Sequence, residues 1–208
     1  MPKVVHHESR RVEVAEAAWR VIARDGIAAA TVRDIANEAG CSTGVLAHYF
    51  RGKDDLLLYA LRLAWNRAAE RMASKSRGLM GLEALRSVLL EALPLDEERR
   101  VEWRIWVSFW GRAASDVSLA DEQRKRYTLW RRLMHSLIQT CQRQGSVQKD
   151  VDAEKEADMI VAFVDGIGTQ ATLEPDHLST QRQTALIDRY LALLATDDPT
   201  TLTGRGCS

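Results

Sequence analysis

The sequence predicts an all-α protein of about nine helices, and two observations carry this prediction. Apolar residues recur with a helical period along almost the whole chain, and no stretch alternates apolar and polar residues with a period of two. Only four of the 208 residues are prolines, so few points interrupt a helix. The apolar fraction of 46% is ordinary for a chain that buries a sizeable core.

The first predicted helix carries an apolar stripe from Val12 to Ile22 and ends at Gly26. Glycine suits the positive φ that often follows the last turn of a helix. His6 and His7 precede the stripe and are predicted to belong to a solvated tail.

Two short helices follow, separated by a tight turn. Thr31 is a good N-cap for the first of them, and Asp34 stands where a capping box needs its acid. Gly40 ends this helix after about two turns, and Ser42 begins a third helix that runs through Phe50. A helix, a tight turn containing glycine and a second short helix form a helix-turn-helix.

Six longer helices are predicted after this pair, each with a recognisable start or stop signal. The first begins at Lys53, the second runs from Leu82 to Leu93, and the third is capped by Asp96. The fourth runs from Ser118 to Gln144, the fifth runs from an Asp152 cap to Leu173, and the sixth runs from Ser179 or Thr180 to Leu194.

Composition excludes several classes of protein. Lys and Arg number 29 and Asp and Glu number 29, so the chain is not a polycation that binds nucleic acid through bulk charge. The three cysteines are widely spaced without a CxxC pair, which argues against a disulfide scaffold and favours a reducing compartment. No apolar run approaches the roughly 18–20 residues of a membrane span, and the N-terminus has no apolar signal segment. We therefore expect a cytoplasmic protein without a membrane partner.

The third helix begins with residues suited to reading DNA. In a helix-turn-helix, the second helix lies in the major groove with its N-terminal residues on base edges. Thr43 can bond a base edge or a phosphate, Val45 suits a thymine methyl, and Gly44 lets the backbone approach closely. His48 and Tyr49 follow, and their side chains are suited to holding phosphates.

The stretch from Thr31 to Leu57 resembles the DNA-binding signature of the TetR family, T-x-x-x-I-A-x-x-A-G-x-S-x-G-x-x-x-x-[YH]-F-x-x-K-x-x-L-L. The resemblance implies a homodimeric, all-helical repressor that binds a pseudo-palindromic operator of double-stranded DNA and is released by a small-molecule effector. Ala47 stands where many relatives have a tyrosine. The DNA-contact residues that the resemblance implies are Arg33, Thr43, Gly44, Val45, Ala47, His48, Tyr49 and Lys53.

The same resemblance divides the chain into three parts. Residues 1–53 form the helix-turn-helix DNA-binding domain, 54–196 the effector-binding and dimerisation domain, and 197–208 a disordered tail. Residues 103–110 and 164–166 also resemble the BetI-type branch, whose type member responds to choline.

Tryptophans at helical spacing suggest a cage for a cation, because aromatic faces bind quaternary ammonium groups. The favoured interpretation of the tryptophan stripe is nevertheless core packing. Asp165 is the single acid in the interior of the apolar helix that ends at Leu173, and its favoured interpretation is a structural hydrogen bond near Gly166 and Gly168. The candidates for an effector pocket are Trp65, Trp103, Trp106, Trp110, Trp130 and Asp165.

The helix that ends at Leu173 is apolar on nearly every face, so every face needs a cover. A subunit interface formed with the last helix is the favoured cover, and a buried internal helix is the alternative. The predicted interface residues are Ile160, Val164, Ile167, Ala171, Leu186, Ile187, Tyr190 and Leu194.

The sequence contains no phosphate-binding loop, dinucleotide-binding glycine pattern, zinc-protease motif or nucleophile elbow. We therefore expect no cofactor, no metal site and no enzyme activity. Two alternatives stay open: a helix-turn-helix regulator without a small-molecule inducer, which senses a partner or acts as an activator, and, more remotely, an α-helical enzyme.

Overall fold

The computed structural model describes residues 2–196, and the side chains of all of these except residues 2–6 and 28. Within that range the chain forms nine α-helices, and its only β pairing is an isolated bridge between Val147 and Ala195, so the all-α prediction is confirmed. The helices are α1 Pro2–Ala29, α2 Val32–Glu38, α3 Thr43–Tyr49, α4 Lys53–Lys75, α5 Gly81–Glu91, α6 Glu97–Ala113, α7 Val117–Arg143, α8 Ala153–Leu173 and α9 Thr180–Leu194. The predicted tail, residues 197–208, lies outside the described residues.

Polar caps fix most of the helix starts where the sequence predicts them. The side chains of Asp96, Asp152 and Ser179 accept hydrogen bonds from the first free N–H groups of α6, α8 and α9. The predicted start at Ser118 is late, because Asp116 accepts from the backbone N–H groups of Ser118 and Leu119 at 2.9 and 3.2 Å.

The first helix is longer than the apolar stripe suggests. It begins at Pro2, so His6 and His7 lie on a helix rather than in an irregular tail, and the His7 side chain is exposed to solvent as predicted. Gly26 interrupts the helical geometry with φ 79° and ψ 159°, which confirms the predicted positive φ.

The chain divides into two compact units. The first unit takes in the chain as far as Glu70 together with Asp96–Gln123, and the second takes in Arg71–Leu95 and the chain from Arg124 onward. The functional boundary expected at residue 53 does not coincide with this division, because α6 packs on α1 and the Trp19 indole of α1 donates to the Ala60 carbonyl of α4. No helix among the described residues is long and apolar enough to cross a membrane.

Candidate DNA-binding surface and effector sites

The start of α2 is held by the capping box that the sequence predicts. The Thr31 hydroxyl accepts from the Asp34 backbone N–H at 3.1 Å, and the Asp34 carboxylate accepts from the Thr31 backbone N–H at 3.2 Å. Hydrogen bonds from the side chain and backbone of Thr31 lower the pKa of Asp34. The cap therefore fixes where α2 begins.

Backbone hydrogen bonds close the turn between α2 and α3. The N–H of Cys41 donates to the carbonyl of Ala36 at 2.9 Å, and the N–H of Gly40 donates to the carbonyl of Asn37 at 3.1 Å. This pair is a Schellman motif, which needs the positive φ of 63° that Gly40 adopts. Ser42 then caps α3 by accepting from the Val45 N–H at 3.2 Å, so the entry angle of α3 is set locally.

The two faces of α3 differ in burial. Leu46 is fully buried and Phe50 nearly so, which anchors the helix on the first unit. On the opposite face Val45 is 42% exposed, although it is apolar. The other exposed residues of the predicted contact set are Arg33, Thr43, Gly44, Ala47 and His48.

Tyr49 and Lys53 are only half-exposed and make contacts within the first unit. The Tyr49 ring lies 5.3 Å from the His48 ring and 4.7 Å from the His7 ring, measured between centroids. The Lys53 ammonium donates to the carbonyl of Ile27 at 3.0 Å, so it joins the start of α4 to the end of α1. An ammonium has three donors, and this bond occupies one of them.

Ion pairs and a buried hydrogen bond hold α1 against α2 and α4. Arg20 and Arg24 both bond the Glu38 carboxylate, at 2.7 and 3.3 Å, and these bonds lower the pKa of Glu38. The buried indole N–H of Trp19 donates to the Ala60 carbonyl at 3.1 Å. The bracing residues therefore come from α1, and the helix-turn-helix motif alone does not identify them.

Four of the candidate effector residues form a packed cluster in the first unit. Trp65 stacks on Trp106 at 5.6 Å, and Trp103 meets Trp106 and Trp110 edge-on at 5.3 and 5.7 Å. Trp103 and Trp106 are buried, which favours core packing. The buried N–H of Trp106 has no hydrogen-bond acceptor among the described residues.

The other two candidates lie in the second unit. Trp130 is buried, and the half-buried Asp165 accepts a hydrogen bond from the Tyr127 hydroxyl at 2.7 Å. Burial raises the pKa of Asp165 to about 6, against the opposing effects of the Tyr127 bond and the Arg131 charge. The expected structural hydrogen bond is present, but its donor is a side chain of α7 rather than a group near Gly166 or Gly168.

Two surface cavities were not predicted. One, of about 540 Å³, lies in the first unit among α1, α4 and α6, with Trp19 in its wall and arginines and glutamates around it. The other, of about 580 Å³, lies in the second unit and is lined by Arg131, Arg132, His135, Glu154, Ala157 and Asp158. Neither is lined by any of the six candidate effector residues. Within the described part of the chain, no three His, Cys, Asp or Glu side chains are grouped to hold a metal ion.

Residues 14–60 match the family model described as "Bacterial regulatory proteins, tetR family", and residues 81–196 match the one described as "BetI-type transcriptional repressor, C-terminal". The chain belongs to the TetR family. It is a transcriptional regulator whose helix-turn-helix, formed by α2 and α3, is its DNA-binding element.

Similar proteins agree with this membership. The HTH-type transcriptional regulator PksA of Bacillus subtilis (strain 168) is 32% identical over 199 residues, which cover 95% of this chain and 96% of that protein. The regulator BetI of Vibrio atlanticus (strain LGP32) is 29% identical and covers 92% of this chain and 94% of its own length. A putative transcriptional regulator from Saccharomonospora viridis, solved in complex with choline, superposes with a TM-score of 0.82 at 28% identity over 89% of this chain and 96% of its own. These relatives are transcriptional regulators rather than enzymes.

In this TetR-family chain, most of the residues predicted for a dimer interface are buried by the chain itself. Leu186 and Tyr190 are half-buried, whereas the other six have 6% exposure or less and offer little area to a second copy. The exposed large apolar side chains of α8 and α9 are instead Met159, Leu173 and Leu193, with exposures of 60%, 68% and 64%. The six buried residues are Ile160, Val164, Ile167, Ala171, Ile187 and Leu194.

Proposed function

We propose that this TetR-family regulator is a homodimeric repressor that acts in the bacterial cytoplasm, where the chromosome lies. Each copy inserts α3 into a major groove of a pseudo-palindromic operator. A small organic cation, bound in the second unit, releases the DNA.

The observation that carries the DNA-binding mode is the exposed face of α3. Its turn is closed by the Schellman motif, its start is capped by Ser42, and its inner face is anchored by Leu46. Thr43 and Val45 are then free to contact base edges, and His48 is free to contact a phosphate. A rigid helix that presents such a face is what major-groove reading requires.

Gel-shift and fluorescence anisotropy with the DNA upstream of the chain's own gene test this mode. The double variant Thr43→Ala/His48→Ala is expected to lose specific affinity by at least about 30-fold, since it removes two contacts of about 1–3 kcal/mol each. The matched control Thr128→Ala/His177→Ala removes an exposed threonine and an exposed histidine of the second unit and keeps full affinity. Unchanged operator binding by the Thr43/His48 variant, with an unchanged circular dichroism spectrum, would contradict the assignment.

The proposed release is a shift between two states. Two recognition helices bind successive major grooves only when they are about 34–36 Å apart, or a multiple of that distance. An effector that binds better to a state with another spacing lowers DNA affinity by its differential affinity for the two states. α4 runs without interruption from Lys53 to Lys75 and so belongs to both compact units, which makes it the candidate lever.

We propose a cation as the effector because the Saccharomonospora viridis regulator was solved with choline and because α8 holds Asp165 among apolar residues. A carboxylate there, oriented by the Tyr127 hydroxyl, supplies the charge that balances a quaternary ammonium group. The packed geometry of the tryptophan cluster supports a core role for it instead.

Calorimetry with choline tests the effector proposal. Asp165→Asn is expected to weaken choline binding by at least about tenfold, since it removes the counter-charge but keeps an acceptor for Tyr127. The exposed Asp176→Asn is the matched control, and Trp106→Phe, which keeps an aromatic ring, is expected to bind choline normally. If choline, betaine and related cations all bind without changing operator affinity, the chain is a regulator without such an inducer.

A further inference from the structure

The N-terminal part of α1 extends beyond the segment that the family model covers. The match to the DNA-binding part begins at residue 14, whereas α1 begins at Pro2. The described side chains of this extension begin at His7.

Three contacts fix the extension on the helix-turn-helix and on α4. The Glu8 carboxylate accepts from the Tyr59 hydroxyl at 2.7 Å, and the Arg11 guanidinium lies 4.3 Å from the Tyr59 ring centroid. Arg10 donates to the Ala39 carbonyl, at the end of α2. The backbone around His7 is therefore attached to the DNA-binding surface rather than free in solvent.

These contacts place His7 beside the last turn of α3. Its ring centroid lies 4.7 Å from that of Tyr49 and 6.0 Å from that of His48. His7 and His48 are both exposed. Two imidazoles at this separation can bond two oxygens of one phosphate, because each N–H···O contact spans about 2.9 Å.

We propose that protonated His7 and His48 together bind one backbone phosphate of the DNA, which makes His7 a DNA-contact residue in addition to the eight given by the motif. The proposal rests on the proposed insertion of α3 into the major groove. A phosphate beside two imidazoles favours their protonated, cationic form, so DNA binding draws protons from solution.

The charged and titratable neighbours of His7 and His48 have partners of their own, so they do not compete with a phosphate for the two imidazoles. Glu8 is shared by Tyr59 and Arg11, and Arg10 is paired with Glu13. Burial and the bond to Glu8 raise the pKa of Tyr59 to about 12, so that phenol stays neutral. Arg10 also interacts electrostatically with Tyr49, and Arg10 and Arg11 are each paired with a glutamate.

Calorimetry with a duplex from the region upstream of the chain's own gene tests the proposal. The heat of binding is measured at about pH 7.5 in two buffers of different ionisation enthalpy, which counts the protons taken up on binding. Wild type is expected to take up about one to two protons, and His7→Gln and His48→Gln are each expected to take up fewer. His177→Gln, an exposed histidine of the second unit, is the matched control and keeps the wild-type count.

The outcomes separate this inference from the DNA-binding mode itself. Wild-type binding without proton uptake, or an unchanged count in His7→Gln, overturns the phosphate site and leaves the recognition helix in place. A wild-type chain that binds no duplex overturns both. The wild-type count needs no variant, so the test does not depend on how any variant folds.

Discussion

The backbone conformation at Gly26 is one that favours glycine over every other residue. Its φ of 79° and ψ of 159° lie where residues with a Cβ rarely go, and a Cβ built there meets no atom within 4 Å. Gly26→Ala is therefore expected to destabilise the fold by about 1–3 kcal/mol through backbone strain alone. Denaturant unfolding followed by circular dichroism measures the change.

Gly111 is the matched control for that substitution. It lies inside α6, has no positive φ, and a Cβ there also meets no atom within 4 Å. Gly111→Ala is expected to stabilise the fold by about 0.5–1 kcal/mol, because alanine loses less backbone freedom in a helix. Equal effects of the two substitutions would show that strain at Gly26 is not the cause.

Single residues were predictable where their role is local. Thr31 and Ser42 cap the helices that follow them because a hydroxyl reaches an N–H three residues away, and that spacing is visible in sequence. Lys53 is different, since its ammonium bonds Ile27, which is 26 residues away. The family motif predicts a DNA contact for Lys53, and only the packing of α4 on α1 reveals its bond to Ile27.

At the scale of helices, Asp165 makes the packing of α8 depend on pH. Its pKa of about 6 lies above the 3.8 of an ordinary aspartate, so between these values the native state binds more protons than the unfolded state. Stability therefore falls as pH rises from about 4 to about 6, by at most about 3 kcal/mol. The side chain of Asp165→Asn does not titrate. In thermal melts, the melting temperature of this variant should therefore rise relative to that of wild type between about pH 4 and 6, and the difference should stay constant above pH 6.

Asp176→Asn controls for the loss of one negative charge, because Asp176 is exposed. Parallel pH profiles for wild type and Asp165→Asn would show that ionisation of the buried Asp165 carboxyl does not lower stability. The same substitution is expected to weaken choline binding, so this position trades stability for function.

The positions of the helices were predictable from the sequence, but the contacts between helices were not. The 3.6-residue period and the caps gave the starts of α6, α8 and α9, which depend on neighbouring residues. The same period shows α8 as apolar on nearly every side, and so does not tell which side its own chain covers. The Tyr127 partner of Asp165 lies 38 residues away on α7, and no local sequence pattern predicts a contact at that separation.

For the whole molecule, we expect the dimer face on the side of α8 and α9 that their own chain leaves open. Met159, Leu173 and Leu193 are exposed there, and Phe163 meets Tyr190 at 5.0 Å, which joins the open sides of the two helices. Apolar area of this kind on a homodimer is normally covered by the same area of a second copy.

Leu193→Glu is expected to convert the dimer to a monomer, because a two-fold axis places two glutamates in one apolar interface where their charges are poorly solvated. A monomer offers one recognition helix, so operator affinity should fall by at least about 100-fold. Light scattering coupled to size-exclusion chromatography measures the mass, and anisotropy measures the affinity. Leu129→Glu, at a residue of α7 that is 57% exposed, is expected to stay dimeric and bind DNA normally. A dimeric Leu193→Glu chain with full operator affinity would place the interface elsewhere.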